Sequence, residues 1–511
     1  SWTAISGDLT TNDKSKQKSS GGPITQDNTG AETYCTIFTA AESPLEKDLL
    51  WTGSDDGLIY VSEDGGGHWE NVTPPAAGKW MMWNCVEPDP FKKGTAYFVG
   101  TKYKMDDYTP YIFVTHDYGK TWKKITNGIP QTHFARCLRA DKKVPGLLYC
   151  GTEYGMYVSY DYGEHWKSFQ LNLPVVPITD LTIKNNDLVV ATQGRAFYVL
   201  DDLTIVQKLS ADILQKDLYI FPTDTAYRLN GSRNPDAKNA GMNPPNGIVV
   251  NYYLKDVNDS SAVKIFVLDK DQKVIKSFST RPSGDTEKIE VNKGMNRFVW
   301  NMYYAPGEKI PGMVLWNGNV GGPKAIPGKY YVRIEDDKNH SATADAFIKA
   351  NPEYKETQAE YEEQFNFLIT VRDKFSEVQK AIKNIRDLRG QINSFIGRLG
   401  KDTAHDVKMM ADSINKKMTL IEDSLCQTKA KSGEDLLNYP ARLNDHLSEV
   451  YHYAESGNYP PTQQVKDAFA FLSAKADKEL GQLKTIVDVD IPKFNELIRE
   501  KQLPLIGVNK E

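Results

Sequence analysis

The sequence is poor in the residues that bind metals and in long apolar runs. Its 511 residues include five cysteines and eight scattered histidines, with no Cys-x-x-Cys pair, so we predict no metal site and no cofactor. No apolar run approaches the roughly 20 residues that span a bilayer. The formal net charge is only −5, which argues against nucleic acid as a partner. What remains is the composition of an ordinary soluble protein of about three domains.

An eight-residue sequence phrase, Ser/Thr-x-Asp-x-Gly-x-x-Trp, occurs three times in the first 170 residues. We call each copy of this phrase a box. Its shared positions are Ser62, Asp64, Gly66 and Trp69, then Thr115, Asp117, Gly119 and Trp122, then Ser159, Asp161, Gly163 and Trp166. The copies begin 53 and 44 residues apart. A period of about 40 to 50 residues is typical of propeller blades.

Each phrase has the chemistry of a hairpin turn. A short Asp side chain accepts hydrogen bonds from the amides of the turn behind it, Gly adopts a backbone angle that a Cβ would penalise, and Trp packs its ring back on the blade. We therefore interpret the three boxes as structural.

Short β-branched and aromatic runs accompany each box and predict four strands per blade. The fourth blade is degenerate, and its predicted outer strand is Ile205–Gln207. Trp2 resembles the end of a further box, so Trp2–Ile5 is predicted to be an orphan outer strand. Because four blades and one extra strand do not close a ring comfortably, we expect this chain to be the C-terminal part of a larger propeller. The other blades would be absent, cleaved off or supplied by another chain.

The boxes, together with Leu50–Gly57, Leu173–Asp180 and Ala191–Asp202, resemble those of the Asp-box (BNR) repeat proteins. The resemblance is nearest to the sortilin-like, vacuolar-sorting-receptor type of propeller found in many bacterial proteins labelled glycosyl hydrolase. It covers residues 1–210, and Asn296–Trp300 and Gly312–Trp316 resemble trailing parts of the same group. The resemblance implies the fold; the boxes themselves occur in enzymes and in binding proteins alike.

Two further domains are predicted after the propeller. Strand patterns at sandwich spacing predict an immunoglobulin- or fibronectin-like β-sandwich over 211–351. A three-four apolar spacing from Tyr361 to Leu399 predicts a long helix that Gly400 ends, followed by helices that fold back as an antiparallel bundle over 352–511. The predicted fold class is mainly β with an α C-terminal part.

The five cysteines are expected to be buried free thiols. A disulfide between Cys137 and Cys150, on neighbouring strands, is the alternative. Cys35, Cys85 and Cys137 are each predicted on the innermost strand of successive blades.

Any chemistry is expected on the rim opposite the boxes, where loops join the second strand of each blade to the third. Candidate carboxylates for glycoside hydrolysis, which needs an acid and a base or nucleophile, are Asp55, Asp56, Asp106, Asp107 and Glu153. Candidate ligand-binding residues are Tyr154, Arg195, Gln193 and Ser20. Simple turn chemistry is the alternative role for the paired aspartates.

These features predict an extracytoplasmic protein that binds a polypeptide or a glycan within a larger cell-surface assembly. One alternative is a glycoside hydrolase acting on a polysaccharide with a carboxylate pair on the propeller face. Another is a purely structural subunit. The expected partner is another chain, or the missing blades, completing the ring.

Overall fold

The computed structural model describes residues 2–18, 21, 34–229, 243–258, 260–284, 286–316, 318–400 and 404–504. The chain divides into two compact units, Ser1–Ser210 and Ala211–Glu511. Each unit is described by itself.

The first unit consists of four successive antiparallel sheets, each with its strands in chain order. The first blade contains β1 (Ile37–Glu42), β2 (Leu50–Ser54), β3 (Ile59–Ser62) and β4 (Glu70–Asn71). The second contains β5 (Met82–Pro88), β6 (Ala96–Lys102), β7 (Asp107–Thr115) and β8 (Lys123–Lys124). The third contains β9 (Ala135–Ala140), β10 (Leu148–Thr152), β11 (Gly155–Ser159) and β12 (Lys167–Ser168). The fourth contains β13 (Ile178–Lys184), β14 (Asp187–Thr192) and β15 (Phe197–Leu200).

Strand β6 shows how the blades stack. Successive side chains of a strand point to opposite faces of its sheet. Ala96 and Phe98 lie in a core shared with the first blade, whereas Tyr97 and Val99 lie in a core shared with the third. All four are 0% exposed, so this part of the strand, which is covered on both faces, is a continuous apolar run.

The fourth blade departs from the sequence prediction. Its predicted outer strand, Ile205–Gln207, is instead part of the short helix α1 (Thr204–Lys208). Asp202 accepts a hydrogen bond from the amide of Thr204 at 2.9 Å, and Gln207 donates to Asn186 at 2.8 Å. Side-chain bonds near both ends of the segment therefore favour a helical turn over pairing with β15.

The cysteines need one correction. Cys85 and Cys137 lie on β5 and β9, but Cys35 precedes β1 with a φ of 70° and is half-buried, whereas the other four cysteines are buried as expected. Cys150 pairs across the ladder with Leu138 rather than with Cys137, and all five thiols are free.

The second unit begins with helix α2 (Ala211–Gln215) and continues as two sheets. One sheet is formed by β16 (Leu218–Ile220), β18 (Ile248–Leu254) and β22 (Gly294–Trp300). The other is formed by β17 (Ala226–Tyr227), β24 (Ser341–Lys349), β23 (Gly328–Glu335), β19 (Lys264–Leu268), β20 (Val274–Ser279) and β21 (Glu287–Lys288). Val250 and Tyr252 of the first sheet share one core with Val267 and Val332 of the second. Membership of the immunoglobulin or fibronectin class stays a prediction.

A helical region follows the sheets. Its helices are α3 (Gln358–Ile396), α4 (His405–Leu425), α5 (Leu443–Glu455), α6 (Gln463–Thr485) and α7 (Ile491–Glu500), the last two joined by a π-helical turn, Ile486–Asp490. Their apolar faces form one core, which also includes Ile310, Leu315 and Val320 from the loop before β23. The chain is thus mostly β with a C-terminal helical region.

Helix α3 begins and ends at identifiable signals. Thr357 and Glu360 form a capping box at its start. Its predicted end at Gly400 is wrong, because the helix ends at Ile396. Arg398 and Leu399 donate their amides to carbonyls only three residues back, so the chain tightens out of the α-helix before Gly400.

Candidate functional site

The three boxes use their polar groups within their own turns. In each, the hydroxyl of Ser62, Thr115 or Ser159 donates to the box carboxylate at 2.9, 2.9 and 2.8 Å. The same carboxylate accepts the amide four residues on at 2.8, 2.8 and 2.9 Å, from His68, Thr121 and His165. The box glycines have φ values of 98°, 87° and 87°, where a Cβ is disfavoured.

The electrostatics of the first box fit this structural role. Hydrogen bonds from the imidazole and amide of His68 and from the Ser62 hydroxyl lower the pKa of Asp64 to about 2. A carboxylate held ionised in this way is unsuited to donating a proton at neutral pH.

The box tryptophans fasten each blade to the one before it. The indole Nε1 of Trp122 donates to the Val72 carbonyl at 2.7 Å, and that of Trp166 donates to the Ile125 carbonyl at 2.8 Å. Trp69 makes the equivalent bond to the Ile5 carbonyl at 2.9 Å. The Ile5 carbonyl therefore accepts the same bond that the Val72 and Ile125 carbonyls, at the end of the preceding blade, accept in the other two contacts. Trp2–Ile5 is nevertheless not paired as a strand.

The candidate aspartates of the first blade lie between β2 and β3, and both accept local hydrogen bonds. Asp55 accepts the Thr36 amide at 2.8 Å, and Asp56 accepts the amide and hydroxyl of Thr11, each at 2.7 Å. Burial acts to raise the pKa of Asp56, but hydrogen bonds from Ser54 and Thr11 outweigh it and leave the pKa lowered.

The candidate aspartates of the second blade lie where β6 turns into β7. Asp106 is exposed, with a φ of 60°. Asp107 accepts the Thr109 amide at 3.0 Å and the Tyr111 hydroxyl at 2.7 Å. Burial opposes these bonds, yet the pKa of Asp107 is lowered. Like Asp56, this group is held as an ionised acceptor.

The remaining candidates lie in the third and fourth blades. Glu153 accepts a hydrogen bond from Nε of Arg136 at 2.6 Å. Gln193 and Arg195 lie in the exposed turn between β14 and β15, and Ser20 lies outside the described residues. Across the ranges that the structure describes, no hydrogen bond or ion pair joins candidate residues of different blades.

The structure brings Tyr154, a candidate ligand-binding residue, together with His133, and it groups three further aromatic residues nearby; the sequence analysis selected none of these other four. Tyr103 stacks on Phe134 with ring centroids 5.2 Å apart and planes 10° apart, and Tyr108 lies 6.0 Å from Phe134. His133 stacks on Tyr154 at 4.6 Å. We call these five side chains the aromatic shelf. The feature of the sequence that could have identified them is their position, because each lies in or beside a loop of the rim opposite the boxes.

Arg136 and Glu153 lie at the shelf. The Arg136 guanidinium is 5.1 Å from the Phe134 ring centroid and 5.5 Å from that of Tyr103. Burial lowers the pKa of His133, whose Nδ1 lies 2.8 Å from the Tyr157 hydroxyl. The shelf therefore combines flat rings with one ion pair.

Lysines accompany aromatic rings in the neighbouring blades. Lys16 Nζ lies 3.7 Å from the Trp80 ring centroid. Lys102 and Lys124 lie 5.0 and 4.5 Å from that of Tyr111. Cations over rings thus recur along the first unit.

Two other kinds of site were sought in the described ranges. No three His, Cys, Asp or Glu side chains there come together in a way that suits a metal ion. None of the helices there is long and apolar enough to cross a membrane.

Residues 57–173 match the family model described as Sortilin-Vps10 (Sortilin, neurotensin receptor 3). This segment contains all three boxes. The first unit is a β-propeller of the Asp-box type.

One curated relative is the oligoxyloglucan-reducing end-specific xyloglucanase of Emericella nidulans, which is 36% identical over 87 residues. The match covers 17% of this chain and only 10% of that protein.

Similar solved structures include a GH74 xyloglucanase from Xanthomonas campestris, with 13% identity and a TM-score of 0.28, covering 60% of this chain and 45% of that one. They also include YCF48 from Cyanidioschyzon merolae, with 16% identity and a TM-score of 0.26, covering 43% of this chain and 67% of that one. A third, YCF48 bound to D1 peptide, has 20% identity and a TM-score of 0.26, covering 32% of this chain and 52% of that one.

Proposed function

We propose that the first unit binds a glycan through the aromatic shelf. The exposed rings of Tyr108 and Tyr154, which lie against Phe134 and His133, are the observation that carries this proposal. The negative faces of aromatic rings attract the polarised C–H groups on the flat side of a sugar ring. Tyr108 and Tyr154 are each 46% exposed, so these two side chains are accessible to a ligand.

The local match to a xyloglucanase supports a glycan over a polypeptide as the ligand. It also keeps glycoside hydrolysis as a second candidate function. The lowered pKa values of Asp56 and Asp107 favour binding over hydrolysis, because the general acid of a glycosidase needs a raised pKa. Release of reducing sugar from a bound polysaccharide would establish the second candidate.

We expect Tyr154→Ala to weaken glycan binding about tenfold or more, because a ring-stacking surface is lost. The measurement is isothermal titration calorimetry of the whole chain against xyloglucan and polygalacturonate, using whichever binds. Tyr160→Ala is the matched control: Tyr160 is 47% exposed but lies within the third box, on the other rim. Equal affinities of the two variants would contradict the assignment of the shelf.

We further propose that the protein works outside the cytoplasm, and that other blades complete its propeller. The bond from Trp69 to the Ile5 carbonyl supports the second part, because it repeats the contacts between complete blades. Native mass spectrometry of the purified particle is expected to show a second chain that carries propeller blades, or a longer form of this one. A particle consisting of one copy of this 511-residue chain and nothing else would contradict it.

A further inference from the structure

Arg136 is held so that part of its hydrogen-bonding capacity is unused. Its Nε donates to Glu153 at 2.6 Å, and the guanidinium lies beside the stacked Phe134 and Tyr103 rings. Neither terminal amino group has a hydrogen-bond acceptor among the residues that the structure describes. The side chain is only 18% exposed. A guanidinium positioned by one carboxylate and adjacent rings retains a planar pair of donors that matches a second carboxylate.

The positive charge of this rim is not confined to Arg136. Lys16 lies over Trp80, and Lys102 and Lys124 lie over Tyr111. Burial and the neighbouring Lys102 lower the pKa of Lys124, with Asp107 opposing them. An anion bound beside these two lysines would relieve their mutual repulsion.

The carboxylates nearby are ionised but already bonded, and Asp13 lies 3.6 Å from Lys16. Asp55, Asp56 and Asp107 accept hydrogen bonds from local amides and hydroxyls, and Glu153 accepts its bond from Arg136. Because these carboxylates keep their charge, the attraction of an anionic ligand group to this rim depends on the unused donors of Arg136 and not on the net charge of the rim.

Resting on the glycan-binding function proposed above, we infer that the ligand is an acidic glycan whose uronate carboxylate is bound by Arg136 while its sugar rings stack on the aromatic shelf. The alternative of an extended polypeptide added to a sheet edge is disfavoured at the first three blades. Their outer strands β4, β8 and β12 are two residues long, with side chains such as Glu70, Lys123 and Lys167, which offers little backbone to pair with.

The test compares polygalacturonate with its fully methyl-esterified form, which has the same rings without the charge. Isothermal titration calorimetry with the whole chain is expected to give at least tenfold tighter binding of the acid, with affinity falling as salt rises. Arg136→Gln is expected to remove this preference, because it lowers the affinity for the acid far more than the affinity for the ester. Arg136→Lys is expected to restore only part of it, because a lysine lacks the planar fork.

Two further variants separate recognition from folding. Lys167→Gln removes a charge from an exposed position on β12 of the same blade and is expected to leave both affinities unchanged. Glu153→Gln removes the carboxylate that competes for Arg136, and we expect binding of the acid to be maintained or tightened. A variant that failed to fold would instead lose binding of both polymers.

Each outcome has a definite meaning. If the acid and the ester bind equally, or if Arg136→Gln behaves like Lys167→Gln, the acidic-ligand inference is wrong while the glycan-binding function stands. If neither polygalacturonate, its ester nor xyloglucan binds, the glycan-binding function is contradicted as well. If a polypeptide bearing carboxylates binds at Arg136 and the glycans do not, the inferred ligand class is wrong, although the role of Arg136 in binding a carboxylate is correct.

Discussion

Replacement of Trp166 by alanine is expected to destabilise the first unit by about 3–5 kcal/mol, the usual cost of truncating a buried large aromatic side chain. Trp166 is 3% exposed, and its indole donates to the Ile125 carbonyl at 2.8 Å. The substitution leaves a cavity between the second and third blades and an unpaired carbonyl. Thermal unfolding of the whole chain, followed by circular dichroism and calorimetry, measures the effect.

Trp2→Ala is the matched control for this prediction. Trp2 precedes Ile5 by three residues, as Trp122 precedes Ile125, but its side chain is fully exposed in the structure. We expect its removal to change the stability by less than about 0.5 kcal/mol. Similar losses of stability from Trp166→Ala and Trp2→Ala would contradict the conclusion that the box tryptophan stabilises the contact between neighbouring blades.

The stability of the first unit is expected to fall by about 3 kcal/mol between pH 4.5 and pH 7 because of Glu87 alone, at 1.36 kcal/mol for each unit of pKa change. Burial raises the pKa of Glu87 from 4.5 to about 7, although Arg139 opposes the change. Glu87 accepts the Ala140 amide at 3.1 Å, and its other oxygen lies 3.8 Å from Arg139. Arg139 also donates to Asp180 at 2.7 Å. Glu87, Arg139 and Asp180 therefore lie where β5, β9 and β13 approach one another.

The sign follows from the direction of the shift. A carboxyl with a raised pKa in the folded state binds its proton more tightly when folded, so the folded state is favoured at low pH. That advantage is lost as the pH rises through the unfolded value, and the loss is complete above the folded value near 7. Glu87→Gln cannot ionise and lacks this dependence.

Urea unfolding at pH 5 and pH 8 measures the difference between the native chain and Glu87→Gln, so that groups common to both cancel. Glu164→Gln is the control, because Glu164 is an exposed partner of Lys123 with 49% of its side chain accessible and should show the native pH dependence. If Glu87→Gln lost stability between the two pH values as the native chain does, the desolvation of Glu87 would be contradicted.

The two rims of the propeller differ in how their polar groups are used. On the box rim, Asp64, Asp117 and Asp161 bond within their own turns, so these aspartates are structural. On the opposite rim, the terminal amino groups of Arg136 and the exposed rings of Tyr108 and Tyr154 remain for a ligand. This contrast is the reason for placing the proposed glycan site on the second rim.

The sequence alone was sufficient for features governed by local periodicity. The Ser/Thr-x-Asp-x-Gly-x-x-Trp phrase encodes its turn, because its hydroxyl and carboxylate bond to each other and to amides within four residues. The three-four spacing from Tyr361 likewise predicts α3, apart from its last turn, since one helical face must be buried. Strand β24 has a weaker signal in the sequence, because its alternating alanines have a low strand propensity.

Only the tertiary structure decided which side chains meet. Tyr103 follows β6 and Phe134 precedes β9, and they stack because neighbouring blades pack face to face. Glu153, a candidate catalytic carboxylate by its position in the sequence, is instead paired with Arg136, and Ile310 and Leu315 enter the helical core from a loop. The sequence by itself determined the box turns, most of the strands and the long helix, because their signals are local. The shelf, the ion pair and the buried Glu87 were decided by packing within and between blades, since contacts between residues distant in the chain have no period in the sequence.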